Sequence, residues 1–358
     1  MTPELISNGA TMSFRKLSDT QRIDERVKKL LVYHNIDTFG QFLLLTDVEL
    51  LKCGLMPSDI VDLKLIASEA IAPVPTTAKM LKNKGNEKLP SGIKQLDTYL
   101  NGGFRKGILM DVTGPPASGK TQFSLLLCVS AYMYSKRSDI LYFDVCYGFS
   151  SHRLLQIACG LNADLFKDTK ILKDLCERIK VFHPVSLKEI LEWFNCGNFF
   201  MSHKASLVII DSITPLVRME KSGEVYMDLI SLAQKLKSLA EKYNFIVLIT
   251  NQITSTYQPV ATGNDKLIED NDFPESVISA LGPTWCHNVL MRIILQFTRG
   301  LHRQFLIAKS NNVPFTGFNY QLTKEGLTFH GDHFIYEGTN PCNQRIRTQA
   351  PLKQDLEI

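Results

Sequence analysis

Residues 114–121 read Gly114-Pro115-Pro116-Ala117-Ser118-Gly119-Lys120-Thr121 and follow directly on the apolar run 108–112. This is a full GxxxxGK(S/T) phosphate loop placed after a strand-length segment and before a helical pattern through Phe123, Leu126 and Leu127. Glycines let backbone N–H groups close around a β-phosphate. The lysine reaches the β/γ oxygens, the threonine hydroxyl ligates Mg²⁺, and the helix N-terminus adds its dipole. A nucleoside triphosphate with Mg²⁺ is the expected ligand pair.

Apolar segments at 140–143, 180–182, 207–210, 245–249, 289–297 and 304–307 alternate with helical patterns such as Leu229, Leu232, Leu236 and Leu239. That alternation predicts an α/β fold with a mostly parallel sheet covered on both faces. The run 207–210 ends in Asp211, which has the form of a Walker B carboxylate holding Mg²⁺ through water. The run 245–249 leads to Asn251 and Gln252, two amides suited to sensing a γ-phosphate.

Upstream, residues 20–70 have helical periodicity with caps at 35–38 and a Gly-Leu-Met-Pro-Ser turn that predicts a helix start at Ser58. The expected layout is a small all-α, helix-hairpin-helix-like lobe over 1–72, a linker over 73–92, a P-loop NTPase core over 93–338 and a tail over 339–358. Three prolines, two glycines and four lysines interrupt any apolar stripe in the linker.

The 358 residues carry a formal charge of +4, too slight a bias to demand nucleic acid as a partner. Eight cysteines without a CxxC pair predict reduced thiols, mostly core filler, in a reducing compartment. The absence of a signal-like stretch or an 18-residue apolar run argues against secretion and membrane association. His183, His203 and His287 lack partners at metal-ligand spacing.

The ordered segments GPPASGKTQF, LVIIDSI, LITNQIT, ALGPTW and RQFLIAKS resemble the eukaryotic RecA-type strand-exchange recombinases, the Rad51 family. The likeness spans nearly the whole chain and is strongest to the B-type branch of DNA-repair paralogues. It implies a RecA-like core and a nuclear protein. The implied nucleotide contacts are Gly114 to Thr121, Asp211 as the Walker B acid and Gln252 as the γ-phosphate sensor. Arg153 in FSSHRLLQIA would lie beside the adenine ring, and Lys309 would approach a neighbouring protomer's nucleotide. The DNA-facing loops would fall at 218–224 and 254–281.

Two departures from the family pattern change the expected activity. Where the resemblance places Asp-Thr-Glu, with a glutamate that orients the attacking water, this chain reads Asp144-Val145-Cys146. A thiol with a reference pKa of about 8.5 replaces a carboxylate poorly, and losing a positioned base costs roughly 10²- to 10⁴-fold in rate. ATP binding with slow or negligible hydrolysis is expected. Where the family carries a Phe-x-x-Ala hook, this chain has Pro75-Thr76-Thr77-Ala78, which argues against long homopolymers.

The segment 254–281 sets Lys266 against Asp265, Glu269, Asp270, Asp272 and Glu275, an unfavourable balance for phosphate contact. DNA contacts are therefore sought at Arg218 and Lys221, Lys28 and Lys29, or the linker lysines. Taken together, the resemblance implies a paralogue that assembles with sister paralogues, meets single-stranded or branched DNA through that complex, and promotes recombinase loading in double-strand break repair. A DNA-dependent ATPase with its own strand exchange, or a nucleotide-independent scaffold, remain alternatives.

Overall fold

A computed structural model describes residues 22–72, 75, 77–83, 87–195, 199, 203–219, 225–256, 276–298 and 302–335. The chain divides near residue 85 into two compact units.

The first unit is all helical, as its periodicity predicts: α1 Glu25–Tyr33, α2 Phe39–Leu44, α3 Asp47–Lys52, α4 Pro57–Ile71 and α5 Ala78–Asn83. Short helices need their free N–H groups satisfied. Thr38 with Gln41 and Thr46 with Glu49 form reciprocal capping boxes that do so. The fourth helix begins at Pro57 rather than Ser58, because proline supplies a helical φ where no N–H is needed. Phe39, Phe42, Leu50, Leu31 and Leu63 meet in its core.

The second unit opens earlier than the composition suggests. Leu89, inside the segment expected as linker, is buried, and β1 Lys88–Leu89 pairs antiparallel with β2 Phe104–Arg105. A two-residue strand is too short to show any period. After α6 Lys94–Tyr99 come β3 Leu109–Thr113, α7 Lys120–Tyr134, β4 Ile140–Asp144, α8 Ser151–Leu161, α9 Thr169–Arg178, β5 Ile179–Phe182 and α10 Leu187–Asn195. Then follow β6 Leu207–Asp211, α11 Ile213–Met219, α12 Val225–Tyr243, β7 Ile246–Asn251, β8 Ile253–Thr256, β9 Ser276–Ser279 and α13 Gly282–Asn288. The chain closes with β10 Met291–Phe297, β11 Arg303–Lys309, β12 Thr316–Thr323 and β13 Gly326–Ile335.

Nine strands form one sheet in the order β13-β12-β11-β10-β3-β7-β6-β4-β5. The six strands from β10 to β5 pair in parallel, and β10 to β13 pair antiparallel. Alternate residues feed two cores, with Met110 and Val112 on one face and Leu109 on the other. Register aligns Thr113 with Asn251 and Asp144 with Asp211, so the carboxyl ends of the parallel strands share one edge. Ligand sites of open α/β sheets lie at that edge.

Among the described residues no helix is long and apolar enough to cross a membrane. The described cysteines form no disulfide with one another, but the expectation of mostly core filler fails. Cys128 and Cys286 are buried, whereas Cys146, Cys159 and Cys176 are exposed.

Candidate nucleotide site

The phosphate loop turns between β3 and α7 with little room beneath it. A Cβ on Gly114 would come within 2.4 Å of the Leu295 carbonyl and 2.7 Å of Ser118 Oγ, so only glycine fits there. Ala117 and Gly119 have φ of 60° and 98°, the left-handed turns that curl the backbone into a cup. Lys120 Nζ donates to the carbonyls of Gly114 and Pro115 at 2.8 Å each, folded back on its own loop. Burial lowers its pKa to about 8, against the opposing pull of Asp211 and Cys146. A desolvated ammonium gains most from a polyanion. A cup closed by a missing Cβ, a poised lysine and the free N-terminus of a 15-residue helix fits a triphosphate, and Thr121 stands in the first turn of that helix.

Asp211 stands at the tip of β6 with both carboxylate oxygens occupied. Tyr142 donates to Oδ2 at 2.8 Å and Thr250 to Oδ1 at 2.5 Å, which fixes the rotamer of a side chain suited to water-mediated metal contact. The neighbouring strand tip, that of β4, carries Asp144. Asp144 accepts from the N–H groups of Gly148 and Phe149 at 2.9 Å each, locking it into its own turn. Cys146 follows it; the residue is exposed overall, but desolvation of its sulfur at the strand tip pushes the thiol pKa up, so the group stays protonated.

Asn251 ends β7, and Gln252 follows it. Thr214 bridges them, donating to Asn251 Oδ1 at 3.0 Å and accepting from the Gln252 N–H at 3.0 Å. Asn251 Nδ2 reaches Ser279 Oγ at 2.7 Å, tying the strand tip to the antiparallel pair β8–β9.

These features can be set beside known proteins. The Rad51 family profile matches residues 84–330. The chain belongs to the Rad51 family. It is 31% identical to the DNA repair protein RAD51 homolog 2 of Homo sapiens, over 96% of this chain and 93% of that protein. It is 29% identical to the protein of that name from Arabidopsis thaliana, over 89% and 92%. It is 34% identical to the DNA repair and recombination protein RadB of Pyrococcus furiosus, over 47% and 68%.

The remaining positions inferred from likeness to the Rad51 family are placed as follows. Arg153 lies beside the first turn of α7, donating through Nε to Gln122 at 2.6 Å. Through Nη2 it donates to Thr323 O at 2.5 Å, and through Nη1 to Gln156 and Lys324 O. These bonds engage the Nε, Nη1 and Nη2 edges of the guanidinium and fix its plane. Gln252 Oε1 accepts from Arg218 Nη1 at 3.3 Å, so its amide is joined to the end of α11.

Lys309 Nζ donates to the carbonyls of Cys286 and Val289 at 2.7 Å each, bonded within its own chain at the end of α13. The loop expected over 254–281 carries strand structure at both ends. Its residues 257–275, like 220–224 of the other loop, lie outside the described residues. Of the basic residues sought as DNA contacts, Arg218 is held by Gln252 and Lys28 pairs with Glu25 at 3.0 Å. Lys88 donates to the carbonyls of Leu100 and Asn101, and Lys221 and Lys84 lie outside the described residues.

Sequence reasoning missed Tyr142, Thr250 and Tyr320. The first is two residues before Asp144 on the same face of a buried strand, a position from which period-2 alternation aims a side chain at the next strand tip.

Proposed function

We propose that this chain is an ATP- and Mg²⁺-binding recombinase paralogue of the nucleus. It acts in homologous-recombination repair of DNA double-strand breaks, assembling with sister paralogues to promote recombinase loading on single-stranded DNA. Support comes from a family match over residues 84–330 and from relatives named for DNA repair and recombination. Lys120 and the loop N–H groups would bind the phosphates, and Thr121 and Asp211 would hold the metal. Bound Mg²⁺ supplies charge neutralisation at the β/γ oxygens. Arg153 would orient the base.

The observation that carries the reading is the strand tip opposite the loop. Cys146 is a protonated thiol there, and Asp144 is spent on two backbone N–H groups. The site is therefore built to hold ATP and ill equipped to activate water, which suits a switch whose occupied and empty states differ in the geometry they impose on a partner. The test is to purify the native complex and analyse its bound nucleotide and subunits together. Unhydrolysed ATP with sister paralogues is the expected content. Recombinase-like turnover stimulated by single-stranded DNA would favour a true ATPase, and assembly indifferent to Lys120→Ala would favour a scaffold.

A further inference from the structure

Strand β12 belongs to the antiparallel extension of the sheet, far along the chain from the phosphate loop, yet three of its residues bear on that loop. Tyr320 is buried and its phenol donates to the carbonyl oxygen of Ser118. Leu322 packs over Gly119, where a Cβ would meet its Cδ2 at 3.0 Å. Thr323 accepts from Arg153, which also grips Gln122 in the first turn of α7.

Resting on the nucleotide reading above, we infer that Tyr320 is a positioning residue for phosphate binding: its hydroxyl fixes the plane of the 118–119 peptide so that the Gly119 N–H faces the anion. In a trans peptide the C=O and the following N–H point opposite ways. Holding the Ser118 oxygen against β12 turns the Gly119 N–H away from that strand, and this N–H has no partner among the described residues. Gly119, at φ 98°, lacks a Cβ, so its own side chain puts up no steric resistance to a flip of that peptide. The phenol supplies the restraint, and burial keeps it a protonated donor by pushing its pKa well up. Phenylalanine would fill the same space without holding the carbonyl.

The test compares full-length wild type with Tyr320→Phe. Calorimetry with Mg²⁺-tripolyphosphate, MgATP and adenosine reads binding, and deuterium exchange of residues 114–121 in ligand-free protein reads the loop. Loss of one restraining hydrogen bond is expected to weaken tripolyphosphate and ATP by about three- to tenfold, leave adenosine unchanged and speed exchange in the loop. A variant that binds tripolyphosphate as wild type does, loses adenosine in equal proportion, or exchanges its loop no faster overturns the inference. Should wild type itself bind no triphosphate, the nucleotide reading fails, and exchange in the ligand-free proteins still decides whether Tyr320 holds the loop.

Discussion

The phenol of Tyr142 donates to Oδ2 of Asp211 at 2.8 Å from the adjacent strand, while Thr250 holds Oδ1 from the other side. The carboxylate is clamped between two neutral donors. Burial first, and then the charge of Asp211, push the Tyr142 pKa well above its ordinary value, so the donor keeps its proton. Tyr142→Phe leaves a buried carboxylate short of one partner at a cost of about 2 kcal/mol. A lowered urea midpoint with an unchanged m-value, and weaker Mg²⁺ dependence of ATP binding, are the expected results. An unaltered midpoint would mean that Thr250 alone holds the aspartate.

Cys146 stands where the family resemblance places a water-orienting glutamate. If its chemistry alone limits turnover, Cys146→Glu should raise single-turnover phosphate release by about 10²-fold or more, whereas Cys146→Ser should leave it at background. Lys120 lies near enough for its charge to act on the thiol, so it would favour ionisation of the new carboxylate. No increase in the Glu variant would place the defect in water positioning rather than in the missing base.

The parts of this molecule that were legible in sequence are those in which the chemistry is local or burial is complete. Strands β3, β4, β6 and β7 are buried along their whole length, so they read as mainly apolar runs, broken within β3 by the buried Asp111. The phosphate loop and Asp211 announce themselves within a few residues. By contrast, β13 is mostly exposed beyond Thr328, and His330, Asp332 and His333 hide it as polar chain. The partners of the loop were beyond reach for another reason: Tyr320 and Ser118 are 202 residues apart, and a single hydrogen bond at that separation leaves no periodic trace. Lys309 is a different case, since its expected role concerns a neighbouring protomer, whereas the single chain shows only its bonds to the Cys286 and Val289 carbonyls.

Gly114 has no space for a methyl group, because two of its would-be neighbours are a β10 carbonyl and the Ser118 hydroxyl rather than flexible side-chain ends. Gly114→Ala must therefore push the loop off the sheet. We expect a loss of about 1–3 kcal/mol in stability together with loss of detectable triphosphate binding. Thermal melting with and without MgATP checks both at once, and a variant still stabilised by nucleotide as wild type is would show that the loop can yield at this point.

Lys120 sets the pH dependence of the site. Its folded pKa of about 8 lies below the ordinary 10.5 because burial disfavours the charge. Below that folded value both folded and unfolded chains hold the proton, and the ligand-free fold carries the full desolvation cost. As pH rises from about 8 towards 10.5 the unfolded chain holds the proton longer, so the ligand-free protein grows more stable through that window. Affinity runs the other way, because the triphosphate needs the ammonium. ATP binding should weaken by about tenfold between roughly pH 7 and pH 9, while Lys120→Arg, weaker throughout, should show no such slope because a guanidinium does not titrate there. A wild-type profile as flat as that of the arginine variant would mean that the empty loop already keeps Lys120 fully protonated, with Asp211 outweighing burial.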